Sequence, residues 1–151
     1  MSFQFEEFIT VVNMSHKTLQ KLKSYKFEKY GKGIKGYHLF CMHYLENNGG
    51  LTCTELAYVC KEDKAAVSRY LKKLYDLGYV KIEDEDGKKY KLKNVLTEKG
   101  KEVYAEYRVQ LDKFIKAVDK GLTPSKADSF GKSLNIIAKN LERITDELIK
   151  W

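Results

Sequence analysis

The chain is poor in the residues that exported, metal-bound or catalytic domains depend on. Its three cysteines, Cys41, Cys53 and Cys60, are an odd number with no C-x-x-C pair, which excludes a disulfide framework and a zinc-finger spacing. Three histidines offer no Ser/His/Asp set for nucleophilic catalysis. There is no glycine-rich phosphate loop, because Gly31-x-Gly33 has neither a strand before it nor a third glycine at the right distance. No apolar run approaches the ~20 residues that a bilayer-spanning helix needs. The N-terminus, with Glu6 and Glu7, lacks the pattern of a signal peptide. Internal repeats and low-complexity stretches are absent too. The reading that remains is a non-enzymatic cytoplasmic protein without cofactor, metal or membrane contact.

What the chain does have is charge and helical periodicity. Its 43% apolar and 32% charged content is that of a soluble globular protein, and 151 residues suffice for one domain with a real core. A net charge of +7, from 28 basic and 21 acidic residues, biases it toward polyanions. The distribution says more than the total. Lys61, Lys64, Arg69, Lys72 and Lys73 crowd a segment whose acidic residues are Glu62 and Asp63.

That segment lies inside two short helical patterns. Thr52-Cys53-Thr54-Glu55 has the spacing of a capping box, which predicts a helix to about Cys60 with small Ala57 at a close crossing. Asp63 reads as the N-cap of a second helix. On that helix Val67, Leu71 and Leu74 recur at steps of 4 and 3 and face inward. Lys64, Ser68, Arg69, Lys72 and Lys73 then face away. Two helices joined by a tight turn, the second carrying short polar and cationic residues outward, is the plan of a helix-turn-helix.

The next residues extend the plan. Gly78 stops the helix, Val80 to Glu83 alternates as a strand, and Asp84 to Gly87 offers an Asp-Gly turn. A return strand is predicted from Lys88 to Leu96, with Tyr90 and Leu92 on one face and Lys89, Lys91 and Lys93 on the other. A solvated strand face is the bland reading of these lysines. Beside a cationic helix they favour phosphate contact.

Asp63 to Leu74, followed by Leu77-Gly78-Tyr79-Val80, resembles the recognition helix and first wing strand of MarR-type winged-helix regulators. Leu96-Thr97-Glu98-Lys99-Gly100 resembles the family's entry into its next long helix, and the order of elements fits along the whole chain. The resemblance implies a mainly α fold with a small β-hairpin wing and long N- and C-terminal dimerisation helices. One MarR-like domain spans 1–151, with a winged helix-turn-helix at about 34–100 and dimerisation segments at 1–30 and 101–151. Candidate DNA-binding residues are Thr52, Thr54, Lys64, Ser68, Arg69, Lys72, Lys73, Lys88 and Lys89. Many members carry an arginine in the wing that enters the minor groove. Here Asp86-Gly87-Lys88 places lysine there, which points to phosphate contact instead.

The sensory devices of some relatives do not transfer. Peroxide-sensing members use a cysteine in the first helix, where this chain has none. Cys41, among Tyr37 and Tyr44, reads as a buried inert thiol, while Cys53 and Cys60 flank the first helix of the helix-turn-helix. Zinc-sensing members pair a histidine near the place of His38 with histidines on the helix after the wing, where this chain again has none. His38 and His43 stand about 140° apart around their own helix.

The ends carry apolar stripes. Tyr104, Tyr107, Leu111, Phe114 and Val118 recur at helical spacing up to Gly121. Phe130, Leu134, Ile137, Leu141, Ile144, Leu148 and Trp151 then form an a/d seam over three heptads. Phe8 and Val12, with Phe5, Leu19 and Leu22, make a compatible N-terminal stripe. Tyr30 to Gly33 is the only linker-like stretch. An intramolecular bundle and an interlocked dimer both satisfy these stripes. The dimer is preferred, with Phe8, Val12, Phe130, Leu134, Ile137, Leu141, Ile144 and Leu148 at its interface, because it sets two recognition helices about one DNA turn apart. The expected function is a sequence-specific DNA-binding regulator, a homodimeric repressor on a pseudo-palindromic operator in double-stranded DNA, released by a small aromatic effector. Its competitor is a winged-helix module that binds protein or ligand and has no sequence-specific DNA affinity.

Overall fold

The computed structural model describes residues 5–84 and 92–148. The elements are α1 (Phe5–Ser24), a 3-10 turn (Glu28–Tyr30), α2 (Gly36–Asn47), α3 (Cys53–Cys60), α4 (Lys64–Asp76), β1 (Val80–Glu83), β2 (Lys93–Leu96), α5 (Glu98–Val118) and α6 (Pro124–Leu148). Among the described residues the chain is mainly α with one antiparallel strand pair, as the sequence led us to expect. It forms two compact units, one ending at Arg108 and the other beginning at Val109.

In the first unit α2 is the central element, packed against α1, α3, α4 and β2. Its sequence explains why. Leu39, Cys41, Met42 and Leu45 are all buried and spread around the helix, and a helix that is apolar on several sides has to be surrounded. Ile34, Leu56, Val67 and Leu74 complete the core, each fully buried aliphatic side chain contributing about 1.5–3 kcal/mol. Gly36 opens α2 directly beneath α1. A Cβ there would lie 1.8 Å from the Leu22 carbonyl oxygen, so only glycine permits the approach.

The segment between α1 and α2 is more built than a linker. Phe27 N–H donates to the Ile34 carbonyl at 2.8 Å, Ile34 N–H to that of Gly31 at 3.0 Å, and Gly36 N–H to that of Tyr25 at 3.0 Å. Tyr30 is buried, and Phe27 packs on both Tyr30 and Tyr107. The Gly-x-Gly spacing read as slack because the apolar anchors lie on either side of it.

Strands β1 and β2 pair in the register Val80–Leu96 to Glu83–Lys93, and β2 is flanked on its other side by a bridge from Leu51 to Asn94. Leu92 precedes β2 as non-strand backbone. The predicted wing turn and the start of the return strand, with Lys88, Lys89 and Tyr90, lie outside the described residues. The second unit comprises α5 beyond Arg108 and α6. Thr123 Oγ1 accepts from Lys126 N–H at 3.3 Å at the start of α6, and Pro124 takes its first position, where a missing N–H costs nothing. Among the described residues, no helix is long and apolar enough to cross a membrane.

Candidate nucleic-acid interface

Each helix of the helix-turn-helix begins on a side-chain cap. Glu55 N–H donates to Thr52 Oγ1 at 3.2 Å, and Thr52 N–H donates to Glu55 Oε2 at 2.8 Å, closing the capping box. Ala66 N–H donates to Asp63 Oδ1 at 2.7 Å, which fixes the first turn of α4. Between them Lys61 adopts the left-handed conformation at φ 53°, the one non-glycine residue among those described to do so. Its N–H and that of Glu62 reach back to the carbonyls of Tyr58 and Ala57, which turns the chain sharply from α3 into α4.

Burial then orients α4. Ala66, Val67, Leu71 and Leu74 are buried, and Tyr70 stacks on Tyr37 with ring centroids 4.1 Å apart. Lys64, Ala65, Ser68, Arg69 and Lys72 are exposed along an arc of roughly 140° on the opposite side. The side chains of Lys64, Ser68 and Arg69 hold no ion pair or hydrogen bond among the described residues. Lys72 sits 3.6 Å from Asp76 in an exposed pair, which is worth little in water. Lys73 stands at the rim. It is half-buried, runs beside Gly33, and its charge reaches His38. Thr54 is exposed on the first turn of α3, and Thr52 is half-buried with its oxygen engaged in the cap.

The end of α4 is clamped to the start of α5. Thr97 Oγ1 donates to the Gly78 carbonyl at 2.6 Å and accepts from Gly100 N–H at 3.0 Å. Lys99 Nζ donates to the Leu77 carbonyl at 2.9 Å. Gly100 meets β1 so closely that a Cβ would lie 2.0 Å from the Tyr79 carbonyl oxygen. The phrase Leu96 to Gly100 is therefore a joint that sets the pitch of α4 relative to α5. Buried Asn94 locks the other side. Its Nδ2 donates to the Leu51 carbonyl at 2.8 Å, and its Oδ1 accepts from the hydroxyl of Tyr75 on α4.

Sequence reasoning missed three features of this region. Tyr58 projects from α3, 74% exposed, with Lys61 Nζ 4.6 Å above its ring. The outward position was readable from buried Leu56, Ala57 and Cys60, but no periodic signal marks an exposed tyrosine. Lys23 on α1 forms a half-buried pair with Glu62 in the turn, at 2.7 Å. Cys41 and Cys60, distant in the sequence, lie in contact. The histidines take separate partners. Lys35 N–H donates to His38 Nδ1 at 3.0 Å, and burial pushes His38 down to about 4. His43 Nδ1 lies 2.9 Å from the Tyr104 hydroxyl.

Residues 41–81, from α2 through the helix-turn-helix into β1, match the family described as bacterial regulatory proteins of the arsR family. The HTH-type transcriptional regulator YybA of Bacillus subtilis (strain 168) is 33% identical over 110 residues, which is 72% of each chain. Among solved structures, a MarR/EmrR family transcriptional regulator from Acinetobacter sp. ADP1 superposes with a TM-score of 0.76 at 18% identity, covering 95% of this chain and 99% of that one. A MarR family regulator from Neisseria meningitidis gives 0.73 at 20% identity, covering 97% and 99%. The S. aureus MepR–DNA complex gives 0.65 at 18% identity, covering 93% and 96%. The arsR-type match stops at β1, whereas the likeness of fold to the MarR structures takes in the terminal helices.

Proposed function

The chain belongs to the helix-turn-helix transcriptional regulators and has the MarR-type winged-helix fold, and from that premise we propose that it is a homodimeric repressor that reads a pseudo-palindromic operator through α4. Its family and fold are those of regulators rather than enzymes. The observation that carries the reading is the exposed arc of α4. Lys64, Ser68, Arg69 and Lys72 stand opposite Val67, Leu71 and Leu74, on a helix held by the Asp63 cap, the Asn94 lock and the Thr97 clamp. A helix that is rigid at both ends and cationic on its open side fits the major groove. In this reading Arg69 makes a bidentate contact to guanine, while Lys64, Lys72 and the wing lysines Lys88 and Lys89 contact phosphates. Thr52 and Thr54 approach the backbone from the start of α3, and Lys73 borders the contact.

Dimerisation uses the terminal helices. In water a lone chain exposes Val12 on α1 and Phe130, Leu134, Leu141 and Ile144 on α6, beside half-buried Phe8 and Ile137. A second copy would cover these apolar stripes, the latter of which Leu148 continues in sequence. Release by a small aromatic effector completes the proposal. A cavity of about 150 Å³ in the first unit is walled in part by Tyr37, Phe40, Tyr44 and Tyr70, room for a molecule of one ring.

The test is selection of duplexes from random DNA, followed by binding over a salt series. The wild type should enrich an inverted repeat. Arg69→Ala should lose about 1–3 kcal/mol of base discrimination without loss of fold. Lys72→Ala should weaken all duplexes alike and reduce the salt slope by about one. A wild type with no sequence preference, or an Arg69→Ala variant as selective as wild type, overturns the reading and returns the chain to the class of binding modules without DNA specificity.

A further inference from the structure

From Lys21 to Lys35 every third residue or so is a lysine, and Glu28 is the only acidic residue among them. Lys23 and Lys29 are engaged elsewhere, with Glu62 and Glu106. The Glu28 carboxylate turns onto its own loop, where Oε2 accepts from Gly33 N–H at 3.2 Å. Lys26 and Lys32 are exposed and Lys35 is half-buried. None of these three holds an ion pair among the described residues. Lys26 and Lys35 are moreover partners in an antiparallel backbone bridge, which sets their side chains next to each other. Like charges directly opposite each other are destabilising, so folding alone gives no reason for the pair.

The place of the segment supplies one. It runs along one edge of α4: Tyr37 stacks on Tyr70, a Cβ on Gly33 would lie 3.6 Å from Lys73 Nζ, and one on Gly31 would lie 3.1 Å from Leu77 Cδ1. The wing strands hold the other edge, where the Tyr75 hydroxyl donates to Asn94 on β2. Lys73 and Tyr75 point about 160° apart around α4, with Ser68, Lys72 and Arg69 between them. The segment is also rigid. The Tyr79 hydroxyl donates to the Tyr30 carbonyl, in addition to the backbone bonds that close the loop on itself.

We propose that residues 25–35 are a second, sequence-independent phosphate contact, in which Lys26, Lys32 and Lys35, joined by Lys73, grip the DNA backbone on the edge of α4 away from the wing. The inference rests on the proposed entry of α4 into the major groove. A groove has a phosphate backbone on each side, and the wing borders one edge of the inserted helix only. Phosphate asks for positive charge at a fixed distance, which rigidly held lysines supply. An acidic protein is the poorer match, because lysine is depleted at protein interfaces.

The experiment replaces Lys26, Lys32 and Lys35 together by Gln and measures binding to a duplex selected by the wild type and to a random duplex over a salt series. The salt slope should fall by about three for each chain bound, on both duplexes, and affinity by about tenfold or more. The variant should still select the same sequence, because phosphate contacts carry no sequence information. A variant with Arg at the same three places should keep the wild-type slope. Replacing Lys113, Lys116 and Lys120 by Gln, the same change of charge in the second unit, should leave the slope within about one of wild type. An unchanged slope in the first variant, or an equal fall in the second-unit variant, overturns the proposal. Ethylation interference on the wild type gives an answer even if the Gln variant folds poorly: it should mark phosphates on both backbones that border the groove occupied by α4, and marks on one backbone alone overturn the contact. A wild type that selects no duplex overturns the proposed function instead, and the slopes on random DNA then decide the phosphate contact.

Discussion

His38 is neutral because the fold makes it so, and this gives the chain a measurable acid sensitivity. Burial holds its pKa at about 4, against an ordinary value of 6.5, and the charges of Lys73 and Lys35 act in the same direction. The unfolded chain therefore binds a proton that the folded chain refuses. Stability from this residue is complete above about pH 6.5 and is lost as the pH falls toward 4. Between pH 7 and pH 5 the loss should be about 2 kcal/mol. Urea midpoints at the two pH values will show it, and a His38→Gln variant should lose correspondingly less on acidification. Equal losses in the two proteins would remove His38 as the cause. The sequence marked His38 only as a polar residue on a helix, since nothing local says which turn of α2 meets the core. Asn94 was equally silent, because its three partners come from the Leu51 loop, from α4 and from its own strand ladder.

Much of the element plan was legible because it is written in short-range chemistry. The Thr52–Glu55 box, the Asp63 cap and the Val67–Leu71–Leu74 stripe all hold as read, and β1 spans the residues its alternation indicated. What escaped depends on contacts between distant segments. The anchoring of Tyr30 against Phe27, the left-handed Lys61 where glycine would be the usual signal, and the meeting of Cys41 with Cys60 are of this kind. The lysines of the wing tip were named from the sequence and lie outside the described residues. The phrase ending in Gly100 was recognisable before its reason was. Its glycine exists to let α5 touch the Tyr79 carbonyl, so Gly100→Ala should destabilise the protein by about 3 kcal/mol or more, at the upper end of overpacking costs. Thermal unfolding followed by circular dichroism measures this. A variant melting within about two degrees of wild type, on the usual scale of a few degrees per kcal/mol, would mean that the joint yields.

At the scale of the whole molecule, the exposed apolar residues of α1 and α6 call for a partner. Light scattering at micromolar concentration should give twice the 17.6 kDa chain mass. Replacing Leu141 and Ile144 with charged residues should give monomer or aggregate, since unpaired charge in an apolar seam is costly. A monomeric wild type that binds its duplex at full affinity would refute the dimer. With α1 at the proposed seam, the Lys23–Glu62 pair acquires a further meaning. In that dimer it would tie the helix that one copy offers to the other directly to the turn that launches α4. Coupling free energy is reciprocal, so whatever factor DNA adds to self-association, self-association must add to DNA affinity. Weakening that one ion pair should therefore make occupancy of the operator less steeply dependent on how much protein the cell holds.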